Sequence, residues 1–327
     1  MAKCYISGCA GFVASNLART LLNKGHQVVG IDNFSCGFRK NMEDFIDHPN
    51  FTFYEQDIRD IVPGEVSYDA VWHLAARGEL YWVRDNIDEA IDINIKGTLK
   101  MLAFAKNANA QHFYFADTSA EYDNIKGEEN YPTTETAAPN INTPMGYYAI
   151  TKMAASQFIR SYGEANGIGT TLFRYTNIYG PSMNLARDIP PVVGSFTNKF
   201  FDGDKPIIYG DGSKCRDFLH IEDLNSFHMA AFENRQNKKD SQTYNAGSGV
   251  NYKISQIRDF VYDACSKIKN DISSEIEYRP DQPNEAQITL ADITKAKNDW
   301  GWTPKLSIQN GISKTVENLW ALRNKGI

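Results

Sequence analysis

Apolar residues fall into short blocks and helix-spaced stripes that alternate along the first half of this 327-residue chain. The block KCYIS at 3–7 reads as a strand. It is followed by FVASNLARTLLNKG, where Phe12, Leu17, Leu21 and Leu22 lie near one helical face and Gly25 supplies a C-cap. HQVVGID, FTFYEQD, DAVWHLAA and QHFYFADT continue the strand series. A long helix is predicted from about Ile87 to Ala108, with Ile91, Ile95, Leu99 and Leu102 on one side. A second long helix spans 146–166, and TTLFRYTNIYG follows as a strand. That order predicts an α/β fold, a doubly wound parallel sheet with ligands at the carboxyl ends of its strands. From about Asn177 the pattern loosens, with prolines at 181, 190, 191, 206, 280, 283 and 304. The expected division is a sheet domain over 1–176, to which the chain returns at about 217–246. Residues 177–216 and 247–327 then form a smaller mixed α/β lobe.

The first strand and helix are joined by GCAGFVA at 8–14, and the second strand ends in Asp32, twenty-one residues after Gly11. Strand, glycine turn, helix, strand and acidic residue form a Rossmann dinucleotide-binding fingerprint. Gly8 permits the tight turn, and Gly11 lets the backbone approach a pyrophosphate. The helix start at Phe12 and Val13 offers unpaired N–H groups to that anion. Asp32 would accept hydrogen bonds from a ribose and repel a 2′-phosphate, which favours NAD over NADP. The two glycines are three apart, and Ala14 takes the place of a third.

Tyr148 and Lys152 lie four residues apart in GYYAITKMAASQFIRSY. On a helix this spacing leaves their side chains about 40° apart, one above the other. A free phenol has a pKa of about 10, and a neighbouring ammonium favours its ionised form. A Tyr–Lys pair alone is common on solvated helices, and Tyr147 is a rival to Tyr148. The glycine turn in the same domain and the four-residue spacing select Tyr148 with Lys152.

Composition excludes several other classes. Hydrophobic residues at 42% and charged residues at 23% describe a globular chain rather than a disordered one. A formal net charge of −6 gives no basic footprint for nucleic acid. No apolar run is long enough for a membrane span, and MAKCYISG begins a strand rather than a signal peptide. The five cysteines are scattered without a CxxC, as free thiols in a reducing cytoplasmic compartment would be. The six histidines show no ligand spacing, so no metal is expected.

Taken in order, GCAGFVA, IDNFSCG, DIRD, HLAA, NIKGT, YAITK, RYTNIYGP, YGDGSKCRDFLHIEDL, YNAGSG and DWGWTP resemble one family over nearly the whole chain. It is the extended short-chain dehydrogenase/reductases, in their NAD-dependent nucleotide-sugar epimerase/dehydratase branch, similar to UDP-glucose 4-epimerases. The resemblance implies bound NAD, a nucleoside-diphosphate sugar as substrate with UDP-sugars favoured, and a homodimer built on the helices near 87–108 and 146–166. Tyr148 matches the catalytic tyrosine and Lys152 the lysine that binds the nicotinamide ribose. Thr118, four residues before Tyr122, matches the catalytic hydroxyl, with Ser119 as a rival. Asn33, Asp57, Ile58, Leu74, Ala75, Ala76 and Tyr175 fall where the cofactor lies, Asp57 toward the adenine. Asn177, Arg216 and Arg279 match positions that contact the substrate diphosphate, and two arginine forks suit one pyrophosphate.

Plainer readings stand beside these. Asp57 can cap a loop; Arg216 can pair with Asp217 or Asp223, and Arg279 with Asp281, on the surface. His73 and His220 read as structural. Tyr81 and Trp82 suit core, rim or sugar platform alike. The stretch Ser182–Pro191 and Lys199 are expected to border the sugar pocket.

In this family, dehydratases and uronate decarboxylases place Asp-Glu or Ser-Glu directly after the catalytic threonine. Here the chain reads DTSAEYD, with Ser119 and Ala120 in those places and Glu121 displaced by one. A one-residue shift in an extended segment turns a side chain to the opposite side. Asp123 stands where the family has glycine, so a local gap in this loop can return Glu121 to the site. The expectation is C4 epimerisation of a UDP-sugar through a transient 4-keto sugar, with hydride passed to and from NAD. A 4,6-dehydratase or UDP-glucuronate decarboxylase is the runner-up. A non-catalytic dinucleotide sensor is the reading from another class.

Overall fold

The computed structural model describes residues 1–62, 66–123, 125, 127–140, 146–186, 190–235, 240–282 and 285–324. In chain order, its first half runs β1 (Lys3–Ser7), α1 (Phe12–Asn23), β2 (Gln27–Asp32), β3 (Phe51–Glu55), β4 (Ala70–His73), α2 (Leu80–Asp85), α3 (Ile87–Ile91), α4 (Thr98–Asn107), β5 (His112–Thr118), α5 (Tyr147–Asn166) and β6 (Gly169–Tyr175). Then come β7 (Asn177–Tyr179), α6 (Val192–Asp202), β8 (Ile207–Tyr209), β9 (Cys215–His220), α7 (Ile221–Glu233), β10 (Ser241–Ala246), β11 (Asn251–Lys253), α8 (Ile254–Ser266), β12 (Glu277–Arg279), α9 (Thr294–Trp300) and α10 (Ile308–Asn324).

Seven strands form one sheet in the order β10-β6-β5-β4-β1-β2-β3, and every neighbouring pair is parallel. This is the Rossmann-type order, with the switch point between β1 and β4. Both faces of the sheet are covered, which explains its near-continuous apolar strands. Along β5 the side chains alternate: Tyr114 packs with Trp72, α1 and α7, while Phe113 and Phe115 pack toward α4 and α5. Trp72 and Tyr114 stack with ring centroids 3.9 Å apart. In α1, Leu17, Leu21 and Leu22 are buried, and Gly25 adopts a φ of +79° just past the helix end.

The long helix expected over 87–108 is interrupted. Residues 92–97 between α3 and α4 form a π turn, an extra-residue widening that recurs at functional sites. The widened turn buries Asn94, Gly97 and Thr98, whereas Ile91, Ile95 and Leu99 are only half-buried. Gly97 packs tightly there: a Cβ would lie 2.5 Å from Ile58 Cδ1, so the end of the Ile58 side chain would have to shift.

A second apolar cluster joins α6, α8 and α10 through Phe196, Phe200, Ile257, Val261, Ile312 and Val316. The short sheets β11-β9-β7 and β12-β8 accompany it. Its chain is not a clean continuation of 247–327. Ala296 and Trp302 belong to the core beside the large sheet, where Trp302 packs on Phe227 and Trp300 on Tyr244. Among the described residues no helix is long and apolar enough to cross a membrane.

Candidate active site

The glycine turn is built for close backbone approach. Gly8 has φ +73°, and a Cβ on it would lie 2.8 Å from Ala75 Cα. The Gly11 amide donates to Gly8 O at 2.8 Å, and Gly11 caps α1, so Phe12 and Val13 present the first helical amides. Asp32 is buried; its Oδ2 accepts from the Ala10 amide at 3.0 Å and its Oδ1 from Phe34 at 2.7 Å. These bonds hold Phe34 at a left-handed φ of +56°. Burial raises the Asp32 carboxyl pKa. Each Asp32 oxygen keeps a second lone pair, enough for two ribose hydroxyls. A bare glycine turn, a helix start and a buried carboxylate with spare acceptors fit a dinucleotide lacking a 2′-phosphate. Asp57 both caps the turn that follows it and chelates Arg59; it also accepts from Asn33 Nδ2 at 2.8 Å. The Arg59 guanidinium holds its carboxyl below the usual range.

At the end of β4, His73 is a neutral structural residue. It lies between Ser7 Oγ at 2.8 Å and Thr98 Oγ1 at 2.9 Å, and burial lowers it to about 3. The chain continues through Leu74, Ala75, whose amide donates to Ser7 Oγ at 3.3 Å, and Ala76. Asn94 then fixes the next residue. Its Oδ1 accepts from the Arg77 amide at 2.9 Å, and its Nδ2 donates to Arg77 O and to Thr151 Oγ1, each at 3.0 Å. Gly78 packs on Tyr148, where a Cβ would sit 3.8 Å from the phenolic oxygen. Asn94 went unassigned in the sequence reading, although NIKGT was matched; its burial follows from the π turn, which apolar spacing does not reveal. Beside this turn, Arg77 lies 4.2 Å over the Trp82 ring and 4.0 Å from Glu79. Tyr81 takes Arg84 over its face, so neither aromatic is a bare sugar platform.

The first turns of α5 carry Tyr148 and Lys152, the candidate pair. Tyr147 is exposed, whereas Tyr148 is half-buried against Gly78. Lys152 is 2% exposed, with Nζ 3.9 Å from the Phe115 ring centroid. Burial lowers it to about 8, against the opposing pull of Asp117 and Glu121, so it is still mostly an ammonium at neutral pH. Thr118 ends β5 beside this helix; its Oγ1 accepts from the Ala120 amide at 3.1 Å, leaving its hydroxyl proton available. Ser119 is half-buried one position on. Tyr175 is next to Tyr148 electrostatically, and its hydroxyl is bonded to His228 Nε2 at 2.8 Å.

The loop after Thr118 does not return Glu121 to the site. Residues 119–122 form a 3-10 turn that rotates Glu121 into the core, 1% exposed, where Arg174 donates to its Oε2 at 2.7 Å. Burial, then the charge of Asp117, pushes it up to about 8. Asp123 is compatible with the turn at φ −57°, and burial raises it to about 6.

Each expected diphosphate contact has its own protein partner in the structure. Arg216 on β9 is buried, and its partner is Glu285 at 2.8 Å, rather than Asp217 or Asp223. Lys214, also buried, donates to the other oxygen of Glu285 at 2.6 Å. Arg279 on β12 is exposed and pairs with Glu277 at 2.7 Å. It shares no partner with Arg216 because β12 pairs with β8, while β9 lies in another sheet. Asn177 Nδ2 donates to Asp217 O at 3.0 Å. His220 caps α7 through the Glu222 amide at 3.2 Å. Lys199 makes a surface pair with Asp204 at 2.9 Å. Within Ser182–Pro191, residues 187–189 lie outside the described residues, as does position 283 among the prolines. Among the described residues no group of three or more His, Cys, Asp or Glu is placed to hold a metal ion.

A family model described as the NAD dependent epimerase/dehydratase family matches residues 4–247. The chain belongs to that family. Among members of this epimerase/dehydratase family, UDP-glucuronic acid decarboxylase 1 of Arabidopsis thaliana is 29% identical over 96% of this chain and 68% of its own length. UDP-glucuronate 4-epimerase of Thermodesulfobacterium geofontis is 29% identical over 98% of this chain and 96% of its own. The crystal structure of Thermotoga maritima UDP-glucose 4-epimerase with UDP-glucose superposes with a TM-score of 0.85, at 28% identity, covering 98% of this chain and 99% of that one. Family membership makes NAD the cofactor, in agreement with the glycine turn and Asp32. Decarboxylase and epimerase relatives are equally similar, so identity does not choose between the reactions.

Proposed function

We propose that the chain is a nucleotide-sugar C4 epimerase, with a UDP-sugar as substrate. The observation that carries this reading is the direction of Glu121. Ala120 stands where a second acid would be, and Glu121 is sequestered by Arg174 in the core. The site is left with one acid–base pair, enough to oxidise and re-reduce one carbinol carbon. NAD, when bound, supplies reversible acceptance of the hydride from that carbon. Tyr148 takes the C4 hydroxyl proton, its phenolate favoured by the Lys152 ammonium, and returns it after the keto sugar turns over. Thr118 donates its hydroxyl hydrogen bond to the same oxygen. Arg216 and Asn177 hold the diphosphate, and Arg279 acts at the rim. The names of the relatives, which act on UDP-sugars, support the choice of nucleotide.

We also assign a cofactor-binding part to the large sheet and a substrate-binding part to the α6, α8 and α10 cluster. A homodimer is favoured by exposed Leu80, Tyr147, Ile150 and Phe158 on α2 and α5, next to half-buried Ile91, Ile95 and Leu99. Five free thiols suit a reducing cytoplasm.

The test is to incubate the purified protein with UDP-, dTDP-, GDP- and CDP-sugars and follow products by NMR. Interconversion of C4 epimers of a UDP-sugar is expected. A 4-keto-6-deoxy product, or carbon dioxide from a uronate, would overturn the epimerase reading. Inertness with nucleotide bound would favour the sensor.

A further inference from the structure

Behind the reactive pair lies a buried carboxyl pair that the mechanism does not use. Asp117 follows Phe115 on the α5-facing side of β5. Its Oδ2 accepts from Ser156 Oγ at 2.8 Å, and Ser156 is one turn beyond Lys152 on α5. Arg174, its register partner on β6, places Nε 3.8 Å from the same oxygen. Glu121 enters from the 3-10 turn and meets the same guanidinium, with Arg174 Nη2 donating to its Oε2 at 2.7 Å. Asp117 Oδ1 and Glu121 Oε1 are both buried, and among the described residues neither atom has a hydrogen-bond partner. Two unpaired acceptors on carboxyls that meet one guanidinium are satisfied by a single proton held between them. The pair then keeps one negative charge.

We propose that Asp117, sharing a proton with Glu121, is the buried counter-charge that keeps Lys152 an ammonium over the Phe115 ring. Asp117 is thereby a positioning residue for Tyr148. The other groups facing this space are accounted for. Arg160 from α5 and Arg174 from β6 are permanent cations. Tyr122 from the turn accepts from Arg174 and donates to Asn245. His73 from β4 is neutral. Without the carboxyl pair, Lys152 would face two guanidinium groups across a dry core, and its neutral form would be favoured. The inference rests on Tyr148–Lys152 being the acid–base pair, but it does not depend on which sugar is turned over.

The experiment is an ultraviolet titration of the phenolate in NAD-loaded protein, with the Tyr148→Phe signal subtracted to remove the other tyrosines. In D117N/E121Q the charge is gone. The Tyr148 midpoint should move up by about one pH unit, roughly tenfold less phenolate at neutral pH. In E121Q, Asp117 ionises alone and keeps the charge, so no upward shift is expected. D117N should fall between them, and it carries the test if the double variant does not fold. An unmoved midpoint in the charge-free variant would overturn the proposal. So would an upward shift in E121Q equal to that of the double variant. If the midpoints move as expected while no nucleotide sugar is turned over, the epimerase reading fails and this one stands.

Discussion

Asn94 and Thr151 are joined by a 3.0 Å hydrogen bond that ties the π turn to the stretch of α5 between Tyr148 and Lys152. The same asparagine holds both backbone groups of Arg77, next to the glycine on which the phenol packs. One amide side chain therefore sets the distance between the end of β4 and the reactive helix. In Asn94→Ala the half-buried Arg77 amide and carbonyl lose their partners, each costing up to about 1 kcal/mol where water can reach it. The variant should fold with a lower denaturation midpoint and lose kcat more than KM rises. A loss confined to KM would show that Asn94 serves substrate binding instead.

Replacing Tyr148 by Phe removes the oxygen proposed to exchange the C4 hydroxyl proton while leaving the ring against Gly78. Turnover should fall by at least about 10²- to 10⁴-fold. NAD affinity should change little, since the glycine turn and Asp32 are untouched. Steady-state rates with fluorescence titration of the cofactor check both halves. A rate close to that of the unmodified protein would remove Tyr148 from the chemistry.

The large sheet was legible because parallel strands buried on both faces read as apolar runs, as in KCYIS, HQVVGID and QHFYFADT. The Tyr148–Lys152 spacing was legible because it is local to one helix. The π turn was not, since widening at 92–97 is stabilised by Asn94 reaching Arg77, seventeen residues earlier in the chain. Of the apolar stripe Ile91, Ile95, Leu99 and Leu102, Leu102 is buried as expected, while polar Asn94 and Thr98 take the buried side ahead of the other three. Glu121 is a similar case. Its direction depends on the Thr118 cap and on Arg174, fifty-three residues away across the sheet. The partner of Arg216 was missed for the same reason: Glu285 lies sixty-nine residues on.

Glu285 bridges Arg216 and Lys214, the place a phosphate would take if Arg216 holds the diphosphate. Binding must then displace a carboxylate of like charge to the ligand. Glu285→Gln keeps the shape and removes the competing charge. UDP should bind more tightly, on the order of tenfold, or about 1.4 kcal/mol. Isothermal titration with UDP measures this directly. Weaker binding would mean that Glu285 itself contacts the nucleoside, and that Arg216 is a structural cation.

Buried titratable groups set the pH range of stability from both sides. Burial lowers His73 and His228 to about 3, and His112 and His220 to about 4. Unfolded histidine titrates near 6.5, so below that pH the unfolded chain takes up protons that the fold refuses. Stability is therefore complete above about 6.5 and falls as pH drops toward 3. Glu121 acts in the opposite sense. Its folded value is raised to about 8, so the fold keeps a proton that the unfolded chain releases near 4.5. That contribution is present at low pH and is lost as pH rises through about 8. Four histidines outweigh one glutamate on the acid side, which places the maximum near pH 6.5. Urea midpoints measured from pH 4 to 9 should peak there, and Glu121→Gln should flatten the alkaline branch and steepen the acid branch between about 4.5 and 6.5. An alkaline decline of the same size in that variant would show that another group, not the Glu121 proton, governs it.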